Sequence, residues 1–237
     1  QVFLDCTLRD GGYYNSWDFE HALIQDYLVA MKAIGVDVVE LGFRTTDQKG
    51  FKGACAYTTD SFVRTLEIPE GITFCVMINA TEVIVNSKYS EKILSILFPE
   101  NAETSKISLV RIACHTYEFV EALHSFKFLN SKGYRVAFNL MQISECDSKE
   151  LILLAKEAKE YPFEVLYFAD SFGSMSLDSF SHYIKLAVEN LDNSISLGYH
   201  SHNNMQLAFS NAISFCSMNN ERKIILDSSI YGMGRGA

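Results

Sequence analysis

The sequence predicts an α/β fold of the (β/α)8 or TIM-barrel class. Eight short runs of β-branched and aromatic residues recur along the chain, and their starts are roughly 30 residues apart. Helix-like segments lie between them. Because strands that alternate with helices at this spacing pair in parallel through right-handed crossovers, eight of them favour a closed barrel.

The predicted strands are Val2–Cys6, Val36–Phe43, Ile72–Ile78, Ile107–Cys114, Arg135–Met141, Glu164–Ala169, Ile195–His200 and Ile224–Tyr231. The clearest predicted helices are Asp18–Ile34, Tyr117–Asn130, Ser148–Glu160, Leu177–Asn190 and Met205–Met218. Side chains that can cap a helix mark three of the helix starts. Asp147, with Glu150 three residues later, resembles a capping box, and Ser176 and Asn204 also precede apolar runs.

An open, doubly wound sheet is the alternative architecture. Such a sheet normally carries a Gly-rich phosphate-binding turn after its first strand, and no such turn is present. After the eighth strand only residues 232–237 remain, so the final barrel helix is missing from this chain. We therefore expect residues 1–237 to form a single catalytic barrel domain that is truncated at its C-terminus.

The composition excludes several classes of function. The 237 residues are 48% hydrophobic, and 20 basic against 29 acidic residues give a net charge of −9. An acidic surface disfavours binding to nucleic acid and to anionic lipid, and no apolar run is long enough to span a membrane. The six cysteines form no C-x-x-C pair and lie mostly in apolar runs, so we expect reduced thiols and a cytoplasmic location. The oligomeric state stays open, with a homo-oligomer as one alternative.

His200 and His202 give the strongest local signal for a metal site. Side chains two residues apart on a strand project to the same side, so this pair offers two imidazoles to one ion. Asp10 is the natural third ligand, because only strand eight separates strand one from strand seven in a closed barrel. Two histidines and a carboxylate leave coordination positions open for a substrate. The alternative is that both histidines are ordinary loop residues.

Glu40 interrupts the apolar second strand and is expected to face the barrel interior. A carboxylate there needs a charged partner, and Arg9 at the end of the neighbouring strand is the candidate. A guanidinium held beside a metal is suited to stabilising an enolate or oxyanion. The alternative is that Arg9 and Glu40 form only a stabilising salt bridge.

Weaker signals come from other strand ends. Arg44 and Arg111 are expected to add positive charge at the barrel mouth and to bind an anionic substrate there. Ser171 is a second candidate contact to substrate, although it could instead belong to the cap of the next helix. His115 shares a strand face with Arg111 and could reach the mouth. Tyr13 is either a packing residue or an acid–base group.

Four motifs together resemble one superfamily of metal-dependent lyases and aldolases. They are the string LDCTLRDGG after strand one, Glu40, His200-Ser201-His202, and Gly232-Met233-Gly234-Arg235-Gly236 after strand eight. This superfamily includes hydroxymethylglutaryl-CoA lyase, isopropylmalate and citramalate synthases, and 4-hydroxy-2-oxovalerate aldolase. The resemblance spans essentially the whole chain.

The resemblance implies a TIM barrel with a divalent metal, Mn²⁺ or Mg²⁺ with Zn²⁺ as a further alternative, bound by Asp10, His200 and His202. It also implies that Arg9 stabilises an enolate and that Glu40 orients Arg9. A further asparagine ligand of the family would lie just beyond Ala237.

Loop details within the superfamily resemble the aldolases. Gly12-Tyr13 differs from the synthases and the CoA lyase, and Gly232–Ala237 lacks the catalytic cysteine of the lyase. Val110–His115 and Asp170-Ser171 also look like the aldolases. The aldolases carry a catalytic histidine where this chain has Tyr13, so the base stays open between Tyr13 and His115.

The resemblance therefore implies a divalent-metal-dependent carbon–carbon lyase of the 4-hydroxy-2-oxovalerate aldolase type. We expect it to make or break a bond of a 4-hydroxy-2-oxo acid through a pyruvate-type enolate, with a small 2-oxo acid and an aldehyde as its partners. A Claisen-type acyl-CoA synthase or lyase is the second hypothesis. A degenerate barrel that binds or scaffolds without catalysis is the third.

Overall fold

The computed structural model describes residues 1–218 and 222–234. Its strands are, in chain order, β1 (Val2–Asp5), β2 (Val38–Phe43), β3 (Thr73–Asn79), β4 (Ile84–Val85), β5 (Lys88–Tyr89), β6 (Leu109–Cys114), β7 (Arg135–Leu140), β8 (Val165–Asp170), β9 (Ser196–Ser201) and β10 (Ile224–Ser228). Eight of them are parallel and close into a barrel in the order β1-β10-β9-β8-β7-β6-β3-β2, and β4-β5 forms a separate antiparallel pair. The predicted barrel is confirmed.

The α-helices are α1 (Thr7–Asp10), α2 (His21–Ala33), α3 (Ala54–Tyr57), α4 (Asp60–Val63), α5 (Ala80–Val83), α6 (Glu91–Leu97), α7 (Ala102–Ser105), α8 (Phe119–Leu123), α9 (Ser125–Ser131), α10 (Ser148–Ala158), α11 (Leu177–Asn190) and α12 (Ala208–Ser217). Four 3-10 turns cover Gly11–Tyr14, Thr116–Glu118, Ile143–Glu145 and Ile230–Gly232. Within the part of the chain that is described, no helix follows the last of these turns. None of the helices in 1–218 and 222–234 combines the length and apolarity needed to cross a bilayer.

Seven predicted strands agree with the structure to within two residues at each end, and the eighth was predicted three residues too long. It ends at Ser228 because Tyr231 adopts a φ of +52° inside a 3-10 turn, which no strand can contain. The β4-β5 hairpin was not predicted, since each of its strands is only two residues long.

The predicted helix over 117–130 is divided into the turn Thr116–Glu118, α8 and α9. The caps at Asp147 and Ser176 are confirmed, because each side chain accepts a hydrogen bond from the backbone three residues on. The predicted cap at Asn204 is wrong. Gln206 has a left-handed φ of +58°, so α12 begins later, and Asn203 Oδ1 accepts from the backbone N of Ala208 at 3.2 Å.

The strands bury two separate apolar layers. Small and branched side chains fill the lower barrel interior, among them Leu4, Val38, Leu109, Val165 and Ile225. A larger cluster lies between the outer face of the barrel and the surrounding helices. Both faces of most strands are therefore apolar, as expected for a parallel sheet covered by helices. The charged side chains Glu40, Arg111 and Asp227 lie beyond this lower layer, toward the carboxyl ends of the strands.

Strand β2 contains an irregularity that changes which side chains face the interior. The register with β3 shifts between Glu40 and Phe43, and Gly42 between them has a φ of +150°. A Cβ on Gly42 would overlap the carbonyl of Cys55, so only glycine allows this close approach. Glu40 lies inside the barrel, and beyond the shift Phe43 packs at the mouth while Arg44 points away from it.

Candidate active site

The loop after β1 is held rigidly at the barrel mouth. Helix α1 is a single turn in which Arg9 and Asp10 are both buried. Trp17 Nε1 donates a hydrogen bond to the carbonyl of Arg9 at 2.7 Å, and Gly12 leaves the space that the Trp17 ring fills. This packing fixes the backbone that carries Arg9 and Asp10.

Asp10, His200 and His202 converge above the barrel interior, as predicted. Their candidate ligand atoms all lie within 4.8 Å of one another. The Nε2 atoms of His200 and His202 are each 3.9 Å from Asp10 Oδ2. Bonds from a metal to imidazole nitrogen or carboxylate oxygen are about 2.0–2.2 Å long, so one ion can lie between these atoms. The three side chains could therefore hold a divalent metal.

Both imidazoles have their Nδ1 atom occupied by a hydrogen-bond partner. His200 Nδ1 lies 2.8 Å from Asp227 Oδ2, and His202 Nδ1 lies 2.7 Å from the carbonyl oxygen of Ser171. A carbonyl and a carboxylate only accept, so these contacts favour the hydrogen on Nδ1 and leave the Nε2 lone pair for a metal. The arrangement is typical of histidines that bind metals.

Cys6, His200 and Asp227 form a second group whose atoms lie within the same 4.8 Å limit. This group fits a metal less well. Burial raises the pKa of the Cys6 thiol well above its ordinary value, and Cys6 Sγ donates to the carbonyl of Ser228 at 3.2 Å. Asp227 is already paired with an arginine. The group that contains Asp10 is the better candidate.

Arg9 and Glu40 form the predicted ion pair, with Nε of the arginine 2.7 Å from Oε2 of the glutamate. A second nitrogen, Nη1, is 2.8 Å from Asp10 Oδ1. Although burial disfavours a charged guanidinium, the carboxylates of Glu40 and Asp10 raise the pKa of Arg9 above its ordinary value. Among the described residues, Arg9 Nη2 is a buried donor without a hydrogen-bond partner.

Arg111 lies deeper in the barrel than predicted. Its side chain is fully buried, with Nη1 3.1 Å from Glu40 Oε1, Nη2 2.5 Å from Asp227 Oδ2 and the guanidinium carbon 4.0 Å from the centre of the Tyr167 ring. These contacts occupy the face of the guanidinium and two of its nitrogens. The predicted direct contact between Arg111 and substrate does not fit this placement.

These contacts connect six side chains into one chain of alternating charge, which we call the mouth network. Its members are Asp10, Arg9, Glu40, Arg111, Asp227 and His200. Three carboxylates face two guanidinium groups, so the network has one excess negative charge when the histidine is neutral. The two ends of the network, Asp10 and His200, are the proposed positions of a cation.

Arg44 is not at the mouth, contrary to the prediction. Its guanidinium donates to the carbonyls of Thr58 and Leu97 and pairs with Asp60 at 2.5 Å. The register shift in β2 turns this side chain outward, so a contact with substrate at the mouth does not fit. We call Arg44, Asp60 and Ser105 the Arg44 cluster, because Ser105 Oγ contacts both of the other side chains.

The other predicted residues surround the mouth at different depths. Tyr13 packs edge-on against Trp17 and Phe43, and the Arg9 guanidinium is 5.9 Å from the centre of the same Phe43 ring. His115 begins the turn Thr116–Glu118, where its ring stacks on Tyr117. Ser171 Oγ accepts from the backbone N of Gln142 at 2.9 Å.

Sequence reasoning missed Asp227. It is a carboxylate on the last strand, its side chain is only 2% exposed, and it contacts both Arg111 and His200. The available signal was strand alternation, because Asp227 shares the parity of the interior residue Ile225 and so had to face the barrel interior.

The loop after β10 closes against the loop after β1. Tyr14 Oη donates to the carbonyl of Gly234 at 2.6 Å, and a Cβ on Gly234 would overlap the Asp10 carboxylate. Gly234 has a φ of +155°. Arg235 and Gly236 of the same motif lie outside the described residues. A cavity of about 820 Å³ runs from Asp10, His200 and His202 toward Phe209 and Leu226.

The chain is similar in sequence to known carbon–carbon lyases. The chain is 22% identical to oxaloacetate decarboxylase of Mycobacterium tuberculosis, covering 100% of this chain and 66% of the relative. It is 24% identical to 4-hydroxy-2-oxovalerate aldolase 6 of Rhodococcus jostii, covering 99% of this chain and 63% of the relative. The chain thus spans less than two thirds of the length of these relatives.

A solved structure shares the fold closely. The N-terminal domain of a candidate aldolase from Bacteroides vulgatus superimposes with a TM-score of 0.87 at 27% identity, covering 100% of this chain and 75% of that one. The family model described as HMGL-like matches residues 2–237. The chain belongs to the HMGL-like family.

Proposed function

We propose that this barrel is the catalytic domain of a divalent-metal-dependent lyase that makes or breaks a carbon–carbon bond of a 4-hydroxy-2-oxo acid. The observation that carries the proposal is the unpaired Nη2 of Arg9, a buried donor whose neighbouring nitrogen is bonded to the candidate metal ligand Asp10. A buried donor without a hydrogen-bond partner destabilises the folded chain unless a ligand accepts its hydrogen bond. An anionic oxygen of a substrate would accept it.

The two named relatives support the choice of substrate class. Oxaloacetate decarboxylation and 4-hydroxy-2-oxovalerate cleavage both break the bond next to C3 of a 2-oxo acid and leave the enolate of pyruvate. The leaving parts differ, being carbon dioxide in one case and an aldehyde in the other. An enolate of pyruvate is therefore the part of the chemistry that we assign to this chain, with an aldehyde as the proposed second product.

Asp10, His200 and His202 are the residues that would hold the metal. The carboxylate suits Mn²⁺ or Mg²⁺ and the two imidazoles suit Zn²⁺, so these three ions are the candidates. A divalent ion bound there supplies Lewis acidity toward the oxygens of a 2-oxo acid. The excess negative charge of the mouth network favours a cation between Asp10 and His200.

Arg9 is the residue to which we assign stabilisation of the enolate. Its Nε donates a hydrogen bond to Glu40 and its Nη1 donates one to Asp10. These two bonds fix the plane of the guanidinium and therefore the position of Nη2. Negative charge on the substrate increases when the carbon–carbon bond breaks, and a donor that is already oriented lowers the energy of that state most. Glu40 acts through Arg9 as a positioning residue.

Tyr13 is the proposed base for the 4-hydroxyl proton, with His115 as the alternative. Tyr13 is favoured because it packs on the same Phe43 ring as Arg9. An unperturbed phenol has a pKa near 10 and is a weak base at neutral pH, so proximity to positive charge is required. Ser171 lies beside His202 and can donate its hydroxyl hydrogen to a substrate oxygen.

The reaction can be tested without knowing the aldehyde. We expect the purified chain with Mn²⁺ to exchange the methyl protons of pyruvate for deuterium, as followed by proton NMR, and to lose this activity after chelation. Acetyl-CoA with a 2-oxo acid serves as the competing substrate pair. Exchange confined to the methyl group of acetyl-CoA would favour the Claisen-type hypothesis, and no exchange with either donor would contradict the proposal.

The metal ligands can be tested by titration. We expect one equivalent of Mn²⁺ to bind the wild-type chain, and Asp10→Asn and His200→Ala each to weaken binding by at least tenfold, since the first removes the negative charge of a ligand and the second removes a ligand altogether. Glu164→Gln changes an ionised partner of Arg135 far from the mouth and is the control. Undiminished binding in both ligand variants would contradict the assignment.

A further inference from the structure

Asp227 has no role in the proposed chemistry, yet its carboxylate contacts the Nδ1 atom of His200. Its side chain is 2% exposed, and one oxygen, Oδ2, contacts both Arg111 Nη2 at 2.5 Å and His200 Nδ1 at 2.8 Å. The other oxygen, Oδ1, has no hydrogen-bond partner among the described residues. Two donors therefore share one acceptor atom, which suggests that the position of Oδ2 matters for both.

We propose that Asp227, held in place by Arg111, is a positioning residue that keeps the hydrogen of His200 on Nδ1 and so directs Nε2 toward Asp10. The role of Nε2 as a metal ligand rests on the proposed function, whereas the position of the hydrogen does not. The inference thus concerns the state of His200 before any metal binds.

The ring of His200 can carry its hydrogen on either of two nitrogens. In a neutral imidazole one nitrogen is an N–H donor and the other is an acceptor, and the hydrogen-bond partners determine which nitrogen carries the hydrogen. A carboxylate oxygen such as Asp227 Oδ2 can only accept a hydrogen bond, so the hydrogen of the neutral His200 ring lies on Nδ1. The nearest carboxylate on the other side, Asp10 Oδ2, is 3.9 Å from Nε2, which is too far to attract the hydrogen by a direct hydrogen bond.

Asp227 is held in place by Arg111, whose Nη2 donates to the same oxygen, Oδ2, that faces His200. Arg111 cannot easily rotate away, because Glu40 holds its Nη1 and the Tyr167 ring lies 4.0 Å beneath it. Arg111 is therefore a second positioning residue that acts through Asp227.

Arg9 is oriented by the same carboxylate as Arg111. Glu40 Oε1 accepts a hydrogen bond from Arg111 and Oε2 accepts one from Arg9, so one carboxylate orients both guanidinium groups. The contacts that orient His200 toward the proposed cation position therefore also orient Arg9, the residue to which we assign stabilisation of the enolate. The geometry of the two halves of the site is set by one rigid group of side chains.

The experiment measures the His200 tautomer directly. Nitrogen-15 shifts of the histidine rings, recorded on the metal-free chain at pH 8 through long-range proton–nitrogen correlations, distinguish Nδ1–H from Nε2–H. We expect Nδ1–H for His200 in the wild type and a shift of the hydrogen to Nε2 in Asp227→Ala. His202 is the internal reference, because its partner is the backbone carbonyl of Ser171 and is unaffected by the substitution.

Two further variants separate positioning from general stability. Asp227→Asn keeps an acceptor oxygen and is expected to retain the wild-type tautomer. Asp60→Ala breaks a buried ion pair of the Arg44 cluster and is expected to leave His200 unchanged. With Mn²⁺ added, Asp227→Ala should bind about 10- to 100-fold more weakly than wild type, as is usual when the partner of a metal-binding histidine is lost.

The outcomes distinguish this inference from the proposed function. A wild-type His200 with its hydrogen on Nε2, or an Asp227→Ala variant with unchanged tautomer and metal affinity, overturns the inference even if the enzyme is active. If Asp227→Ala does not fold, the wild-type and Asp227→Asn spectra still decide, because both must show Nδ1–H. A tautomer that behaves as expected in a chain that binds no metal supports the inference and contradicts the proposed function.

Discussion

The Arg44 cluster and the mouth network are two buried polar groups on opposite faces of the barrel wall, and they differ in how completely their arginines are paired. In the Arg44 cluster every guanidinium nitrogen donates to an oxygen: Nε to Thr58, Nη1 to Leu97, and Nη2 to Asp60 and Ser105. In the mouth network Arg9 Nη2, Arg111 Nε and Asp227 Oδ1 have no hydrogen-bond partner among the described residues. Both groups are nearly fully buried.

The difference separates a structural role from a functional one. A guanidinium whose three nitrogens all have partners holds its surroundings together, and Arg44 ties the segments around α3, α6 and α7 to the barrel. A buried donor with no partner is costly to the folded chain, and is retained where a ligand completes it. Complete pairing at Arg44 and incomplete pairing at Arg9 therefore predict different consequences of substitution.

The largest expected effect is on stability in the Arg44 cluster. Asp60→Ala removes the charged partner of a buried guanidinium and should lower the free energy of unfolding by about 3–5 kcal/mol. Urea denaturation measures the change. Mn²⁺ affinity of the folded variant should stay as in wild type, and a loss of metal affinity would show that the two groups are coupled after all.

The next effect is on catalysis in the mouth network. Arg9→Lys should lower the rate of pyruvate exchange by about 100- to 1000-fold, since an ammonium cannot contact Glu40, Asp10 and a substrate oxygen at once. Metal affinity should change little. Arg64→Lys, which alters a partly exposed pair with Glu100, is the matched control. Equal exchange rates in Arg9→Lys and wild type would mean that Arg9 is structural like Arg44.

A smaller effect is expected at Glu40, which is shared by both arginines of the mouth network. Glu40→Gln keeps the shape but removes the charge, and we expect the unfolding free energy to fall by about 1–3 kcal/mol and turnover to fall with it. Mn²⁺ titration should give nearly the wild-type affinity. A large loss of metal with Arg9 still ordered would place Glu40 among the ligands.

The effect that is smallest at neutral pH is an alkaline pH dependence near the Arg44 cluster. Burial raises the pKa of Cys55, in the segment that leads to Thr58, to about 12. Between about pH 9 and 12 the unfolded thiol ionises while the folded one keeps its proton, so stability falls as pH rises, by up to about 1.4 kcal/mol per pH unit. Denaturation at several alkaline pH values should show a shallower slope for Cys55→Ala, and identical slopes would contradict the shift.

The sequence was sufficient to predict the barrel and the residues whose position follows from strand alternation. Asp10, His200 and His202 come together because only β10 separates β1 from β9, and strands that follow one another along the chain are neighbours in a closed barrel. The Arg9–Glu40 pair could be predicted for the same reason. A charge inside a barrel needs a partner, and the nearest strand end supplies it.

The two predictions that do not fit the structure, at Arg44 and Arg111, have different causes. Arg44 was predicted at the mouth because its side chain was assumed to follow the regular alternation of inward and outward side chains along β2. The register shift beside Gly42 interrupts this alternation between Glu40 and Phe43. Arg111 was assigned to substrate because its partner Asp227 is 116 residues away in sequence and no local pattern connects the two. Contacts across the barrel depend on side-chain reach, which strand spacing does not determine.

The contact between Gly234 and Asp10 has a consequence for how the site is assembled. Tyr14 and Gly234 are 220 residues apart, and β1 pairs with β10 only when the barrel closes. A nascent chain makes Asp10 early and must wait for His200, His202 and Asp227 before the cation position exists. Closing such a long loop is slow and carries an entropic cost, so we expect the β1–β10 pairing, which completes the site, to form late. Metal binding would therefore report that the barrel has closed, which makes it a direct readout for following the folding of this chain.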